Sequence, residues 1–534
     1  MFVVKSSTIV LISVLFSCFL PNFASSQDSR KTQPNIIFII TDDQSWDSLG
    51  FMGGKVYTPR IDRMAKEGMY LTDFNVTSTV CSPSRYTFLT GRYAGRCEGE
   101  KFLKEHPPGD QTQVENIGEL ELNRWNLAKV LQKNGYKTGF VGKSHLVRHD
   151  ILGKFENRSS DLEELQFYPP NADPRDPEIN SKLQKNHEFW CNEIQKYGFD
   201  YADGIYAANL RELYNEALNV HNIEWTVSKA FQFLEKYQNE PFFLYFSTTL
   251  HHGPSPWEDE YGLGADIRMT GEGFVEEGFD VMPSRKSVIE RTVKAGFKKE
   301  ASYALWLDDG VGAIIDKVKQ LGLEKDTLIV FVPDHGSYRH GKTTLHEYGM
   351  RVPMLLQWEG KIKEGSKYDQ ILANIDFAPT ILDLCSIEMP TDYLVDGYSF
   401  KNVLFGSQDP LRDALFCELG HSRGVKTKKW KYIAIRYPER LQEQIDQGKT
   451  FKGFKGEDLE LPYLTRNAHL GYHAALVNPN YFVKDQLYNL VNDIEENNNV
   501  FKQNPETAEQ MKKFLSVELS KFKGRPFGEF TTDN

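Results

Sequence analysis

Asn35-Ile36-Ile37-Phe38-Ile39-Ile40-Thr41-Asp42-Asp43 decides how the rest of the chain is read. A continuous β-branched and aromatic run of this length predicts a strand covered on both faces, because a strand with one wet face would alternate apolar with polar residues. It runs directly into two aspartates, so two carboxylates stand at its C-terminal end. The same kind of ending recurs downstream. Tyr136–Gly142 leads into Lys143-Ser144-His145, Pro241–Ser247 into His251-His252-Gly253-Pro254, and Asp326–Pro333 into Asp334-His335-Gly336. Helical stretches separate these runs: Pro59–Lys66 with Gly68 as its stop, Trp125–Lys133 stopped by Asn134-Gly135, Glu224–Tyr237 and Ala301–Leu321. Repeated helix-then-apolar-strand units predict an α/β fold with a mostly parallel central sheet sandwiched by helices. Ligands of such sheets bind beyond the carboxyl ends of the strands, where this chain concentrates Asp, Lys and His.

With 534 residues the chain exceeds the roughly 250–300 at which a single core stops growing. After Gly406 the α/β rhythm ends. Leu415–Leu419, Gly424–Thr427, Lys431–Tyr437 and Leu487–Leu490 read as short strands and Glu506–Lys521 as a closing helix, so residues 407–534 are expected to form a smaller α+β subdomain behind an α/β domain at 27–406. Residues 101–121 and 257–291 are polar and rich in Gly and Pro, and read as long loops over the strand ends. Lys5, the apolar run Thr8–Leu20 and the small residues Ala24-Ser25-Ser26 read as a signal peptide over residues 1–26, which implies an exported protein, periplasmic or secreted. That run is too short to span a bilayer and nothing later is longer, so no transmembrane anchor is expected. A net charge of −11 excludes nucleic acid as a partner and requires a local basic cluster for any anionic substrate. Cleavage would leave Cys81, Cys97, Cys191, Cys385 and Cys417; the odd count flags a reactive thiol, with four others able to pair in three ways. Sequons stand at Asn75 and Asn157.

Cys81-Ser82-Pro83-Ser84-Arg85, continued to Leu89-Thr90-Gly91-Arg92, carries the chemistry. Pro83 suits a first helical turn and Gly91 a helix stop, which puts Cys81 at a helix N-terminus, where backbone N–H groups favour a sulfate or phosphate. C-x-P-S-R followed by x-x-x-L-T-G-R resembles the signature of type I, formylglycine-dependent sulfatases of the alkaline-phosphatase-like superfamily, and the chain looks similar to secreted bacterial polysaccharide sulfatases. Lys143 and His145 match that family's G-K-x-H element, His252 its H-x-P element, and Lys342, Glu347 and Arg351 its K-x-x-x-x-E-x-G-x-R-V-P element. Glu347 and Arg351 read equally as an ion pair holding their loop.

The resemblance implies that Cys81 is converted to formylglycine (3-oxoalanine) by a formylglycine-generating enzyme or its equivalent during maturation. It also implies one Ca²⁺ per chain, held by Asp42, Asp43, residue 81, Asp334 and His335. Carboxylate oxygens suit Ca²⁺, with Mg²⁺ second, whereas the His335 nitrogen is a poor ligand for a hard cation. In the mechanism implied, Arg85 fixes residue 81, Lys143 bridges it to sulfate, Lys342 contacts the sulfate or leaving group, His252 is the acid for the departing alkoxide and His145 the base for the second hydroxyl. The expected substrate is a sulfated carbohydrate, an algal polysaccharide such as ulvan or carrageenan or its oligosaccharides, with a lysosomal-type glycosaminoglycan sulfatase as the rival. Arg339, His340, His421, Arg423 and His473 are candidate sugar contacts. Two other readings remain, a phosphonate or phosphate monoester hydrolase of the same superfamily and an inactive sulfated-glycan-binding protein.

Overall fold

The computed structural model describes Met1 and residues 33–44, 48–156, 163–337, 341–448, 451–452, 460–461 and 477–531. Beyond Met1 the expected signal peptide lies outside these residues, as do Asn157, Arg339, His340 and His473.

Asn35–Thr41 sits inside an eight-stranded sheet whose order from one edge is Ser366–Tyr368, Met69–Leu71, Met354–Gln357, Thr327–Pro333, Asn35–Thr41, Phe242–Ser247, Lys137–Lys143 and Tyr201–Tyr206. All pairs are parallel except the two made by Met354–Gln357. The four strands with Asp, Lys or His beyond their ends are therefore consecutive neighbours. Their register is level: Thr41 faces Pro333, Ile40 faces Ser247, and Ser247 faces Gly142. Asn35 holds the opposite end, its amide donating to Thr327 Oγ1 at 3.3 Å and its carbonyl oxygen accepting from Phe242 N at 3.2 Å.

Both faces of the central strand are covered. Ile36, Phe38 and Ile40 enter a core with Phe88, Leu89, Phe377 and Ile381, while Ile37 and Ile39 enter another with Val227, Phe233, Leu305 and Val311. Each buried isoleucine is worth about 1.5–3 kcal/mol. The first core carries the helices Cys81–Thr90 and Phe377–Leu384, the second Ile223–Tyr237 and Ser302–Gln320.

Side-chain caps set the starts of the helices that lead into the Lys137–Lys143 and Phe242–Ser247 strands. Asn126 accepts from Lys129 N, so that helix is Leu127–Lys133 rather than starting at Trp125, and Asn222 accepts from Trp225 N to start Ile223–Tyr237. Neither expected long loop is loop throughout. Glu100–Glu105 is helical, and 257–291 contains the hairpin Met269–Thr270/Gly273–Phe274 and most of the helix Arg285–Lys294, capped by Ser284. The sequence reading also passed over the helix Pro177–Gln195 and the strand Tyr201–Tyr206, in which Gly204, at φ 65°, falls where the register against Lys137–Lys143 shifts.

The C-terminal part is a four-stranded antiparallel sheet, Leu415–Leu419, Ser422–Lys426, Trp430–Ile435 and Asp485–Asn489, backed by the helix Pro505–Leu519. Val80, Tyr93, Leu345 and Met350 join its core, so it packs directly on the segments flanking Cys81 and Lys342. All five described cysteines are free thiols. The Asn75 amide is buried and donates to Asp73 O and Leu372 O, so this sequon offers no surface acceptor. No helix among the described residues is long and apolar enough to cross a membrane.

Candidate active site

The helix Cys81–Thr90 follows an extended Val80 and ends at Gly91, whose φ of 65° lets its N–H close on Thr87 O. Every residue of this helix is buried, and Cys81 is 1% exposed. Ser82 N is held by Asn116 Oδ1 at 3.2 Å, and Ser84 donates its hydroxyl to Asp334 O, which fixes the helix start against the end of the Thr327–Pro333 strand.

The level strand ends deliver their side chains to the Cys81 sulfur. Asp42 Oδ1 lies 3.7 Å from it, Lys143 Nζ 3.7 Å, Lys342 Nζ 3.6 Å and His335 Nε2 3.4 Å. Arg85, fully buried one turn along, donates Nε to Asp334 Oδ2 at 2.9 Å and Nη2 to Asp42 Oδ2 at 3.3 Å, with Nη1 on Ser247 Oγ and Lys143 O. Lys143 also pairs with Asp42 and donates to Asn209 Oδ1 at 2.7 Å. Lys342 reaches Asp43 Oδ1 at 2.9 Å. His145, in an αL conformation with φ 54°, lies in the same buried pocket, its ring stacked on His149. His252 stands at the rim with its side chain 21% exposed, Nε2 4.0 Å from Asp43 Oδ2 and Nδ1 on Gly253 O. All ten expected site residues thus converge on one place.

The charges explain what the site favours. Burial alone would raise the Cys81 thiol, yet Lys143, Lys342 and His335 hold it well below its usual range, so the position favours an anion. Against burial, Asp334 and Cys81 hold the His335 imidazole up at about 9. Burial and the neighbouring Asp42 push Asp334 up to about 6 even with Arg85 beside it. Burial keeps His145 below the ordinary histidine value, which leaves it neutral and able to accept a proton.

A divalent cation fits this donor set. Ligand atoms of Asp42, Cys81, Asp334 and His335 all lie within 4.8 Å of one another, and those of Asp42, Asp43 and His252 form an adjoining group. Atoms on opposite sides of a calcium with bonds of about 2.3–2.6 Å stand about 4.6–5.2 Å apart. Burial first and the neighbouring Asp42 second raise the Asp334 carboxyl, and a bound cation would offset both.

One expectation is corrected. Glu347 does not pair with Arg351; it pairs with Lys426 and Lys431 of the C-terminal sheet, each at 2.8 Å, while Arg351 Nε donates to Thr72 O. Of the candidate sugar contacts, Arg423 is taken up by Thr112 and Gly420 O, and His421 lines a cavity between the Lys342 loop and the C-terminal sheet. Asn209 and Ser247 were missed. Asn209 follows the overlooked Tyr201–Tyr206 strand, and Ser247 closes the Phe242–Ser247 strand, where its polar end was the available signal.

The Sulfatase family model matches residues 34–387, and the family model described as N-sulphoglucosamine sulphohydrolase, C-terminal, matches residues 334–452. Arylsulfatase G of Homo sapiens is 27% identical over 461 residues, covering 80% of this chain and 81% of that protein. N-acetylgalactosamine-6-O-sulfatase of Bacteroides thetaiotaomicron is 25% identical over 557 residues, covering 92% and 94%. A solved structure from work on the metabolism of multiple glycosaminoglycans by Bacteroides thetaiotaomicron shares the fold, with a TM-score of 0.61 at 22% identity over 92% of this chain and 100% of that one. The match from the first core strand to beyond the Phe377–Leu384 helix takes in every residue gathered around Cys81: the chain belongs to the sulfatase family, and it is a sulfuric ester hydrolase.

Proposed function

We propose that the protein is exported and removes sulfate from a sulfated carbohydrate, an algal polysaccharide such as ulvan or carrageenan or its oligosaccharides, with residue 81 matured to formylglycine and Ca²⁺ held by Asp42, Asp43, Asp334, His335 and residue 81. Residues 27–406 form the catalytic unit in this reading and 407–534 a subdomain that closes over it. The observation that carries it is the buried Cys81 at a helix start, ringed by Lys143, Lys342 and Arg85 that are themselves paired with Asp42, Asp43 and Asp334. Formylglycine would supply two hydroxyls on one carbon, a nucleophile and the means of its own release, and Ca²⁺ would supply Lewis acidity toward the sulfate oxygens. The chain's own residues do the rest. Arg85 holds the Asp42–Asp334 pair in place, and Lys143 and Lys342 present fixed positive charge to the sulfate. His145, neutral and beside residue 81, takes a proton there; His252, at the rim, gives one to the leaving oxygen.

A glycosaminoglycan hexosamine sulfate is the second reading, favoured by the N-acetylgalactosamine-6-O-sulfatase relative that spans nearly the whole chain. The test compares kcat/KM for the sulfate, phosphate and phosphonate esters of one alcohol, then for defined sulfated oligosaccharides of both classes. A preference for phosphate or phosphonate would replace the sulfatase assignment; turnover of neither oligosaccharide class would remove the carbohydrate one.

A further inference from the structure

The stretch of chain that carries His252 is held from two sides. Toward the sheet, Asp42 N donates to Leu250 O at 2.9 Å and His251 N donates to Asp42 O at 2.6 Å. On the other side stands His221, fully buried just ahead of the helix Ile223–Tyr237. Its Nδ1 lies 2.8 Å from Thr249 Oγ1 and its Nε2 2.8 Å from Pro254 O. Its own backbone N–H is anchored on Tyr261 O at 2.8 Å. Thr249 and Pro254 bracket His252, so one imidazole bridges both ends of the stretch.

The bridge has one arrangement. Burial pushes His221 down to about 4, so at neutral pH the ring is uncharged and carries a single N–H. A carbonyl oxygen only accepts, so Nε2 donates that hydrogen to Pro254 O, and Nδ1 is left to accept from the Thr249 hydroxyl. Within the bridged stretch His252 N donates to Thr249 O at 3.0 Å, and His252 Nδ1 donates to Gly253 O at 2.9 Å, which turns Nε2 toward Asp43. Both acceptors belong to the bridged stretch. The His252 side chain is 21% exposed at the rim, so the chain that carries it sets its place. A misplacement of about 1 Å at a reacting group can cost about 10²-fold in rate.

We propose that His221 is a positioning residue for the leaving-group step: by bridging Thr249 to Pro254 it holds His252 where Nε2 can give a proton to the departing oxygen. The proposal rests on the role given to His252 above.

The experiment uses the matured full-length protein with 4-nitrophenyl sulfate and phenyl sulfate, which present the same sulfate on a good and on a poorer leaving group. The poorer one depends far more on a proton from the protein, so the ratio of the two kcat/KM values reads the acid, while any loss of folded fraction cancels. His252→Ala should widen that ratio at least about tenfold, which checks the acid by itself. His221→Phe, which keeps a flat ring and removes both bonds, should also widen it at least about tenfold, mainly through kcat. His221→Gln, with one donor and one acceptor, should recover most of the original ratio. On the His252→Ala background His221→Phe should leave the ratio where His252→Ala sets it, because both act on one step. Equal proportional losses on the two esters in His221→Phe, with His252→Ala widening the ratio, would overturn the positioning role alone, as would a further widening in the double variant. Equal losses in His252→Ala would overturn the acid and this proposal with it, and no turnover of either ester would overturn the sulfatase assignment itself. Should His221→Phe fail to fold, Thr249→Val removes one of the two links, and an unchanged ratio there would overturn the proposal.

Discussion

Lys431 Nζ, fully buried in the C-terminal sheet, stands 2.8 Å from Glu347 on the loop that carries Lys342. Lys426 reaches the same carboxylate, Lys431 also holds Glu496 at 3.0 Å, and Glu496 accepts the Glu347 N–H. The loop is tied at its other side by Gly336 N on Gly349 O, next to His335. Removing one member of such a cluster leaves the others charged and unpaired, which costs about 3–5 kcal/mol. Lys431→Met should therefore lower the unfolding free energy by that amount, read as a lower urea midpoint at unchanged m, and lower kcat on an aryl sulfate. A midpoint equal to that of the unaltered protein would show that the network contributes nothing.

Glu496 gives this cluster a pH dependence. Burial pushes its carboxyl up to about 7, with Lys431 pulling against the shift and Glu347 adding to it. Between the ordinary value of 4.5 and about 7 the folded protein keeps a proton that the unfolded chain has released. The contribution is thus complete below pH 4.5 and fades as pH rises toward 7, a change of about 3 kcal/mol. Glu496→Gln should flatten the stability profile between pH 5 and 8, measured by denaturant unfolding at each pH; an unchanged slope would assign it to another group.

Chelation should lower activity and Tm together, with Ca²⁺ restoring both, because a cation among Asp42, Asp43 and Asp334 would offset the burial and the Asp42 repulsion that raise the Asp334 carboxyl. At a hundredfold excess over Kd the added stability is about 2.7 kcal/mol. Asp334→Ala should lose activity and respond to neither chelator nor Ca²⁺. Full activity of that variant in chelator would remove the metal from the reaction.

His252 and Lys143 separate by substrate. A sugar alkoxide leaves far less readily than a nitrophenolate, so His252→Ala should cost about 10²–10⁴-fold in kcat/KM on a sugar sulfate and much less on 4-nitrophenyl sulfate. Lys143→Ala, acting on the sulfate, should damage both. Equal losses on the two substrates in His252→Ala would place that histidine on the sulfate instead.

Mass spectrometry of the peptide containing residue 81 should find formylglycine in active preparations. Activity from wholly unmodified cysteine would refute the nucleophile.

The parts of this architecture legible in the sequence are those that one strand reports by itself. Asn35–Thr41 announces its own burial and its own carboxylates, and the Lys143, His252 and Asp334 endings repeat the pattern. What stayed hidden depends on pairing across the chain. Met354–Gln357 is too short to declare an antiparallel direction, and Asn209 acts only because its strand lies beside Lys137–Lys143. Glu347 was matched with Arg351 because the two are neighbours in sequence, yet its partners lie 79 and 84 residues further on, where no local pattern points back to it.

The burial of the Cys81–Thr90 helix sets an order of events in the life of the chain. With Cys81 at 1% exposure, every residue of its helix buried and Val80 packed into the C-terminal core, no second protein can grip the Cys-x-Pro-Ser-Arg stretch once folding is complete. In the maturation proposed above, an enzyme acting on Cys81 would have to meet this segment before folding, so competence would be decided once per molecule. A molecule that folded first would keep its thiol, and the ratio of mature to immature copies in a preparation would record a race between modification and folding.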